Sequence, residues 1–180
     1  MPNWCCNTLQ IVAKTDEAKA LLPQIRGRFE ANRSDEGPSA FQLIHPMPSE
    51  LENTRAPGEE PNWYDWRIEN WGTKWPETCV DMGKSDGALL VVYFQTAWAP
   101  PIGIYSRLVS LGFEVFATYA EQGVGYAGYW DNGQDREICL SLHNVPVPEG
   151  EDYPEDYEVL KAAFAGTGIP DKLLPPGLGG

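Results

Sequence analysis

The sequence predicts an α+β domain of the ferredoxin-like type, a split β-α-β sandwich built on an antiparallel sheet. Two observations indicate this fold: a strand-helix-strand order that occurs twice, and a continuous apolar run at residues 88–96 that is typical of a central strand. The chain has 180 residues, of which 42% are hydrophobic, enough for one domain with a real core. We assign residues 1–145 to this domain and 146–180 to a C-terminal extension.

The first strand-helix-strand unit is predicted within residues 7–44. Residues 7–13 alternate apolar and polar side chains, the period of a half-buried strand. Thr15 or Asp16 can cap the helix that follows, in which Pro23 predicts a kink or a break. Residues 41–44 are predicted to be the second strand, ended by closely spaced prolines.

Residues 47–87 are predicted to be an insertion, dense in tryptophan and without a clear period. The second unit follows with the strand at 88–96, a helix that ends at Gly112, and a strand at 113–120. A turn sequence at 131–133 then separates two strand-like segments, which predicts a β-hairpin. In the extension, residues 157–164 are predicted to form one helix.

The charge balance restricts the partners. The chain carries 26 acids and 13 bases, a formal net charge of −13. An acidic surface repels a phosphate backbone, so direct nucleic-acid binding is disfavoured and a protein partner with a basic surface is favoured. No apolar stretch is long enough to span a bilayer, and the N-terminus lacks the features of a signal peptide. We therefore expect a cytoplasmic protein with no membrane partner, and its oligomeric state stays open.

The cysteines and histidines do not predict a metal site. Cys5 and Cys6 are adjacent and point to opposite faces if they lie on a strand, and no C-x-x-C pair occurs. Buried thiols in a reducing compartment are the favoured interpretation. We expect neither a metal nor a cofactor.

Four motifs resemble those of a known family. Three of them are anchored by tryptophan: Met-Pro-Asn-Trp-Cys at 1–5, Asn-Trp-Gly-Thr-Lys-Trp at 70–75, and Thr-Ala-Trp at 96–98 with two prolines after it. The fourth is Tyr-Ala-Glu-Gln-Gly at 119–123. Over residues 1–130 the chain resembles the YubB-like family of phage- and plasmid-encoded proteins. The resemblance implies a ferredoxin-like domain and a role in the conflict between a mobile genetic element and its host, including anti-defence, but it supplies no biochemical activity.

The tryptophan-rich motifs allow two interpretations. They can form an aromatic mini-core that fastens the insertion to the sheet. Alternatively, they can line a pocket that stacks a planar, nucleotide-like ligand, with a lysine supplying charge. The candidate pocket residues are Trp4, Asn7, Asn70, Trp71, Thr73, Lys74, Trp75, Thr96, Trp98, Tyr119 and Glu121.

Lys74 lies between Thr73 and Trp75, an unusual setting for a solvated lysine. It can pair with Glu69 or Glu121, stack on tryptophan, or hold an anionic ligand, and we expect an ion pair with Glu121. A buried Lys–Glu couple can do acid–base work, but nothing in the sequence identifies a substrate, so we predict no catalytic residues. The glycines at 123, 125 and 128 match a dinucleotide fingerprint only by letter, because they precede a predicted strand rather than a helix.

The C-terminal extension contains a run of acids interleaved with two tyrosines. It is either a solvated face or a patch that docks on a basic groove. The favoured function is a non-enzymatic accessory protein that binds and modulates a host protein, such as a nucleic-acid-binding or defence protein. The candidate partner-binding residues are Glu149, Glu151, Asp152, Tyr153, Glu155, Asp156, Tyr157 and Glu158.

Overall fold

A computed structural model describes residues 3–56, 60–121 and 123–139 of the chain. The acidic run at 149–158 and the helix predicted at 157–164 lie outside the described residues. Short 3-10 helices occur at Asn32–Ser34 and Ser49–Leu51. The strands and helices, in chain order, are β1 (Trp4–Ala13), α1 (Asp16–Ala31), α2 (Ala40–Ile44), α3 (Trp63–Trp71), β2 (Thr78–Met82), β3 (Leu89–Ala97), α4 (Ile102–Ser110), β4 (Phe113–Glu121), β5 (Tyr126–Asp131) and β6 (Gln134–Cys139).

The six strands form one sheet in the order β2-β3-β1-β4-β5-β6, and every neighbouring pair is antiparallel. Because β1 and β2 both pair with β3, they are parallel to each other, and the connection through α1 crosses over β3. In the same way, α4 connects β3 to β4 across β1. These two crossovers make the split β-α-β arrangement of a ferredoxin-like sandwich. The predicted fold class is confirmed.

The core lies between the sheet and the helices. In β1, Leu9 and Ile11 are fully buried, and they pair with Ala117 and Val115 of β4. The continuous apolar run of β3 is explained by its place between β2 and β1, as the sequence predicted. None of the helices in the described ranges combines the length and apolar character that a membrane-spanning segment needs.

Helix α1 begins where the sequence predicted and is not broken at Pro23. Its N-cap is Thr15, whose hydroxyl accepts a hydrogen bond of 3.1 Å from the Ala18 amide. Pro23 removes the donor to the Lys19 carbonyl, but both residues are exposed, so water can satisfy that carbonyl. The predicted break is therefore wrong, because the proline lies on the solvent side of the helix.

The second predicted strand is also wrong, since residues 41–44 belong to the helix α2. Its first turn is capped by Ser39, and the buried carboxylate of Glu77 accepts from the amides of Ala40 and Phe41. The second strand of the fold is instead β2, which lies inside the range predicted to be insertion. The connection from α1 to β2 therefore spans residues 32–77.

The predicted hairpin is confirmed. β5 and β6 pair from Tyr126 opposite Cys139 to Asp131 opposite Gln134. The two turn residues, Asn132 and Gly133, both have positive φ, at 44° and 104°. Two successive positive φ values define the turn whose twist matches that of the flanking strands.

Candidate functional site

Three of the four sequence motifs meet at one end of the sheet. Trp4 at the start of β1 pairs with Ala97 at the end of β3, because the two strands are antiparallel. The end of β4 joins them, with Cys5 paired to Glu121. The amide of Trp98 extends the β1–β3 pairing by donating to the Asn3 carbonyl at 2.9 Å.

The fourth motif, residues 70–75, is fastened to the same end. Gly72 terminates α3 with a φ of 87°, which a residue without a side chain adopts readily. The fully buried Thr73 then donates from its hydroxyl to the Ala97 carbonyl at 2.9 Å. Just before Gly72, the Asn70 carbonyl lies so close to Gly103 that a Cβ at position 103 would overlap it, so α3 and α4 are in close contact there.

These anchors place Lys74 among aromatic rings. Its ammonium lies 4.7 Å from the ring centroid of Trp75, 4.9 Å from that of Trp98 and 5.7 Å from that of Tyr64. Trp4 extends the group, with its ring centroid 6.2 Å from that of Trp75. We call the four rings, Trp4, Tyr64, Trp75 and Trp98, the aromatic patch.

The aromatic patch is partly open to solvent. Trp98 is 42% exposed and Trp4 is 37% exposed, whereas Tyr64 and Trp75 are partly buried. Val124, 72% exposed, lies in the turn that follows β4. Clusters of large, exposed apolar side chains are uncommon on monomeric proteins and often mark an interaction site.

The backbone at Trp98 is held in an unfavourable conformation. Its φ is 68°, in the left-handed region that costs a residue with a side chain about 1–2 kcal/mol. Two contacts hold it there: its amide donates to the Asn3 carbonyl, and its carbonyl accepts from the Tyr126 hydroxyl at 2.5 Å. Strain of this kind persists only where the surroundings impose it, and it is concentrated at functional sites.

The predicted ion pair between Lys74 and Glu121 is not formed. Among the described residues, no carboxylate lies within 4.0 Å of the Lys74 ammonium. The Glu121 carboxylate is buried and accepts from the amides of Gly123 and Val124, both at 2.6 Å. Glu121 thus shapes the turn after β4, and the Lys–Glu couple considered for acid–base chemistry is not assembled.

Asn7 and Thr96, predicted to line a pocket, belong to the core. The side-chain amide of Asn7 donates from its nitrogen to the Thr96 hydroxyl and to the Cys5 carbonyl, both at 2.9 Å. Its oxygen accepts from the Tyr105 hydroxyl at 3.1 Å. All of these side chains are buried. Burial raises the pKa of Tyr105 well above its ordinary value and that of the Cys5 thiol to about 12, so both groups stay neutral.

Tyr119, another predicted pocket residue, is also buried and is bonded to the hairpin. Its hydroxyl donates to the Asp135 carboxylate at 2.6 Å, across β5 to β6. Burial, followed by this hydrogen bond to Asp135, raises the pKa of Tyr119. Tyr119 therefore ties the hairpin to the ferredoxin-like unit.

The remaining tryptophans in the connection pack against the core, with Trp71 buried and Trp63 and Trp66 partly buried. The indole of Trp71 donates to the His45 carbonyl at 2.8 Å, and its ring packs edge-on against Phe41 and Trp66. Asn70 supports the group, since its side chain donates to the Trp66 carbonyl at 2.9 Å. The mini-core interpretation thus applies to Trp71, while Trp4, Trp75 and Trp98 lie at the surface.

Sequence reasoning missed two residues of the site. The Tyr64 ring lies 5.7 Å from the Lys74 ammonium, and its only sequence signal was its place in the aromatic-rich segment 63–75. Tyr126 holds the Trp98 backbone through a contact that no local pattern predicts, because 28 residues separate them.

Two surface cavities lie apart from the aromatic patch. One, of about 350 Å³, lies on the sheet and includes Cys6, Cys79 and Tyr93 in its wall. The other, of about 440 Å³, lies at the start of α3 around Trp66 and Glu69. Among residues 3–56, 60–121 and 123–139, no three histidine, cysteine or carboxylate side chains come together as a metal site would require.

Comparisons with known proteins give little further information. No protein-family model matches the chain, and no curated protein matches it. Among solved structures, it is similar to the crystal structure of a protein api92 from Yersinia pseudotuberculosis, family model DUF1281, at 11% identity and a TM-score of 0.45. That similarity covers 80% of this chain and 100% of the other. At this level neither an activity nor a site carries over.

Proposed function

We propose that the protein is a non-enzymatic, cytoplasmic binding protein that contacts a partner protein through the aromatic patch. The observation that carries this proposal is the joint exposure of Trp4 and Trp98 on rings that share one cluster. Tryptophan and tyrosine are the side chains that most often dominate the energy of protein interfaces.

The backbone that carries the patch is held by hydrogen bonds, which favours binding. The Trp98 amide and carbonyl bond to Asn3 and Tyr126, and the segment that carries Trp75 is attached through Thr73. A backbone that is already ordered loses less conformational entropy on binding. A strained backbone that presents an exposed ring is consistent with selection for contact rather than for stability.

A protein partner fits better than the small planar ligand considered from the sequence. Small-molecule sites are concave and direct a few polar groups at the ligand. Here the polar candidates Asn7 and Thr96 are bonded to each other in the core, and the two cavities include neither Trp4 nor Trp98. What the patch offers is open aromatic surface with one cation.

The charge of the chain favours a basic partner. A net charge of −13 accelerates encounter with positively charged proteins and slows encounter with nucleic acid. The acidic run at 149–158 would add a second, electrostatic contact. The family resemblance adds the proposal that the partner is a host protein modulated by a mobile element.

The test is site-specific photo-crosslinking in cells that produce the protein. A photoreactive phenylalanine analogue is placed at Trp98 or, as a matched control, at Ile68, which is 40% exposed on α3. The proposal expects one discrete crosslinked protein from position 98 and none from 68. The crosslink should disappear when Trp4→Ala is added, and the purified partner should bind the wild-type chain directly.

Two outcomes contradict the proposal. One is the lack of a crosslink specific to position 98, either because no protein is captured there or because positions 98 and 68 give the same pattern. The other is a partner that binds a Trp4→Ala/Trp98→Ala variant as well as the wild type but is lost when the acids of 149–158 are neutralised. The second outcome would assign binding to the acidic run alone.

A further inference from the structure

We propose that Tyr64, Trp75 and Trp98 form a seat for a cationic side chain of the partner, and that Lys74 fills this seat in the free protein. The inference rests on the proposed function for the identity of its ligand, a lysine or arginine side chain of a basic protein. The seat itself is a property of this chain and is testable without the partner.

The geometry of the seat is that of an aromatic cation site. Three ring centroids lie within 6 Å of one ammonium nitrogen, the range over which a cation is attracted to the face of a ring. Two of the rings are indoles, the strongest partners for such contacts. The Lys74 ammonium is therefore an internal stand-in, and it demonstrates that a cation of this size fits among the rings.

Lys74 is held weakly enough to leave. In the described part of the chain its ammonium forms no ion pair, and its side chain is only partly buried. Cation–π contacts at such exposed sites are individually weak, and a displaced ammonium regains full hydration. An incoming cation thus competes with Lys74 rather than with a strong internal bond.

The fraction of molecules in which Lys74 fills the seat sets the apparent affinity for an external cation. A ligand that binds only the open seat is weakened by the fraction of molecules in which the seat is open. Removal of the Lys74 ammonium should therefore strengthen the binding of any external cation. An anionic ligand held by Lys74 would show the opposite dependence, which separates the two possibilities.

The experiment is a titration of the full chain with tetramethylammonium and with an acetylated trimethyl-lysine amide, followed by the indole N–H resonances of the tryptophans. Lys74→Ala should bind both probes about tenfold more tightly than the wild type, which corresponds to a seat that is about nine-tenths filled by Lys74. Lys74→Arg should bind like the wild type. The double variant Lys74→Ala/Trp98→Ala should lose the gain, and Ile68→Ala should change nothing.

Equal affinities of the wild type and Lys74→Ala would overturn the inference, as would an undiminished gain in the double variant. Binding of acetate or inorganic phosphate that depends on Lys74 would also overturn it and assign the lysine to anions. Circular dichroism verifies folding, and Lys74→Ser provides a second open variant. A seat that opens as expected while crosslinking at position 98 fails would refute the proposed function alone.

Discussion

The hydroxyl of Thr73 donates a hydrogen bond of 2.9 Å to the carbonyl of Ala97, the last residue of β3. Both residues are buried, so this bond is formed away from water. It fastens the end of the long α1–β2 connection to a central strand. Because Lys74 follows Thr73 and Trp98 follows Ala97, the bond also brings the side chains of Lys74 and Trp98 together. This attachment therefore places the Lys74 segment beside the end of β3, where the aromatic patch lies.

Thr73→Val should destabilise the protein and loosen the patch. The substitution keeps the shape of the side chain but removes its hydrogen bond to the Ala97 carbonyl, which keeps the Ala99 amide as a donor. The loss of this one hydrogen bond should cost about 0.5–1.5 kcal/mol. Urea denaturation measures the loss, and tryptophan emission should shift as the Lys74 segment moves. Thr73→Ser, which keeps the hydroxyl, is the control and should lose less. A Val variant as stable as the wild type would show that the bond does not hold the segment.

Trp98→Gly should be more stable than Trp98→Ala. Both variants lose the ring and its contact with Lys74, but only glycine adopts a φ of 68° without a steric cost. We expect a difference of about 1 kcal/mol in the free energy of unfolding in favour of glycine. Thermal or urea unfolding of the pair measures it. If alanine were the more stable of the two, the left-handed conformation at this position would not be strained.

Glu77→Ala should be among the most destabilising single substitutions. The carboxylate accepts from the backbone amides of Ala40 and Phe41. It also accepts from the Ser39 hydroxyl at 2.9 Å and from the side-chain amide of Asn32 at 3.3 Å. Each buried donor left without an acceptor costs about 1–3 kcal/mol, although the costs do not add fully. Loss of α2 from the circular dichroism spectrum should accompany the change. Glu69→Ala, at an exposed acid, is the control and should be neutral.

The same residue makes stability depend on pH. Burial raises the pKa of Glu77 above its ordinary value of 4.5, and the hydrogen bonds from Ala40 and Ser39 offset only part of that rise. The folded state therefore binds the proton more tightly than the unfolded state. The corresponding stability is present below pH 4.5 and is lost as the pH rises through the folded pKa. The unfolding free energy of the wild type should fall relative to that of Glu77→Gln over this window, and a constant difference would contradict it.

The cysteines should differ sharply in reactivity. Burial raises the pKa of Cys5 to about 12, so almost no thiolate exists near neutral pH, whereas Cys6 and Cys79 are exposed. Iodoacetamide at pH 8 should modify Cys6 and Cys79 in the folded protein and reach Cys5 only after unfolding. Peptide mass mapping with time gives the rates. Modification of Cys5 as fast as Cys6 would mean that β1 does not have the described register.

The central strands were predictable because their patterns are strong. Residues 88–96 read as a buried strand, and the turn at 131–133 fixed the hairpin. The second strand was not predictable, since β2 is short and mixed in polarity, with a positive φ at Cys79 and an irregular register. Conversely, residues 41–44 are apolar enough for a strand, but a distant carboxylate, Glu77, caps them as a helix.

The candidate site was predictable in location but not in detail. The motifs anchored by tryptophan at strand ends predicted the location of a candidate site. The side chains of Trp4, Trp75, Trp98 and Lys74 do meet there. The expected partner of Lys74 was wrong, because the Glu121 carboxylate is bonded to backbone amides of its own turn. Local sequence does not reveal whether a carboxylate will pair with a nearby lysine or accept hydrogen bonds from nearby backbone amides.

The exposure of the individual indoles tests the central claim most directly. Seven tryptophan N–H resonances, assigned by single substitution, are recorded with a soluble paramagnetic agent that attenuates groups near solvent. Trp4 and Trp98 should be attenuated strongly, while Trp71 and Trp130 should remain protected. Protection of Trp4 and Trp98 to the level of Trp71 would mean that the rings are core rather than surface, and the proposed binding patch would not exist.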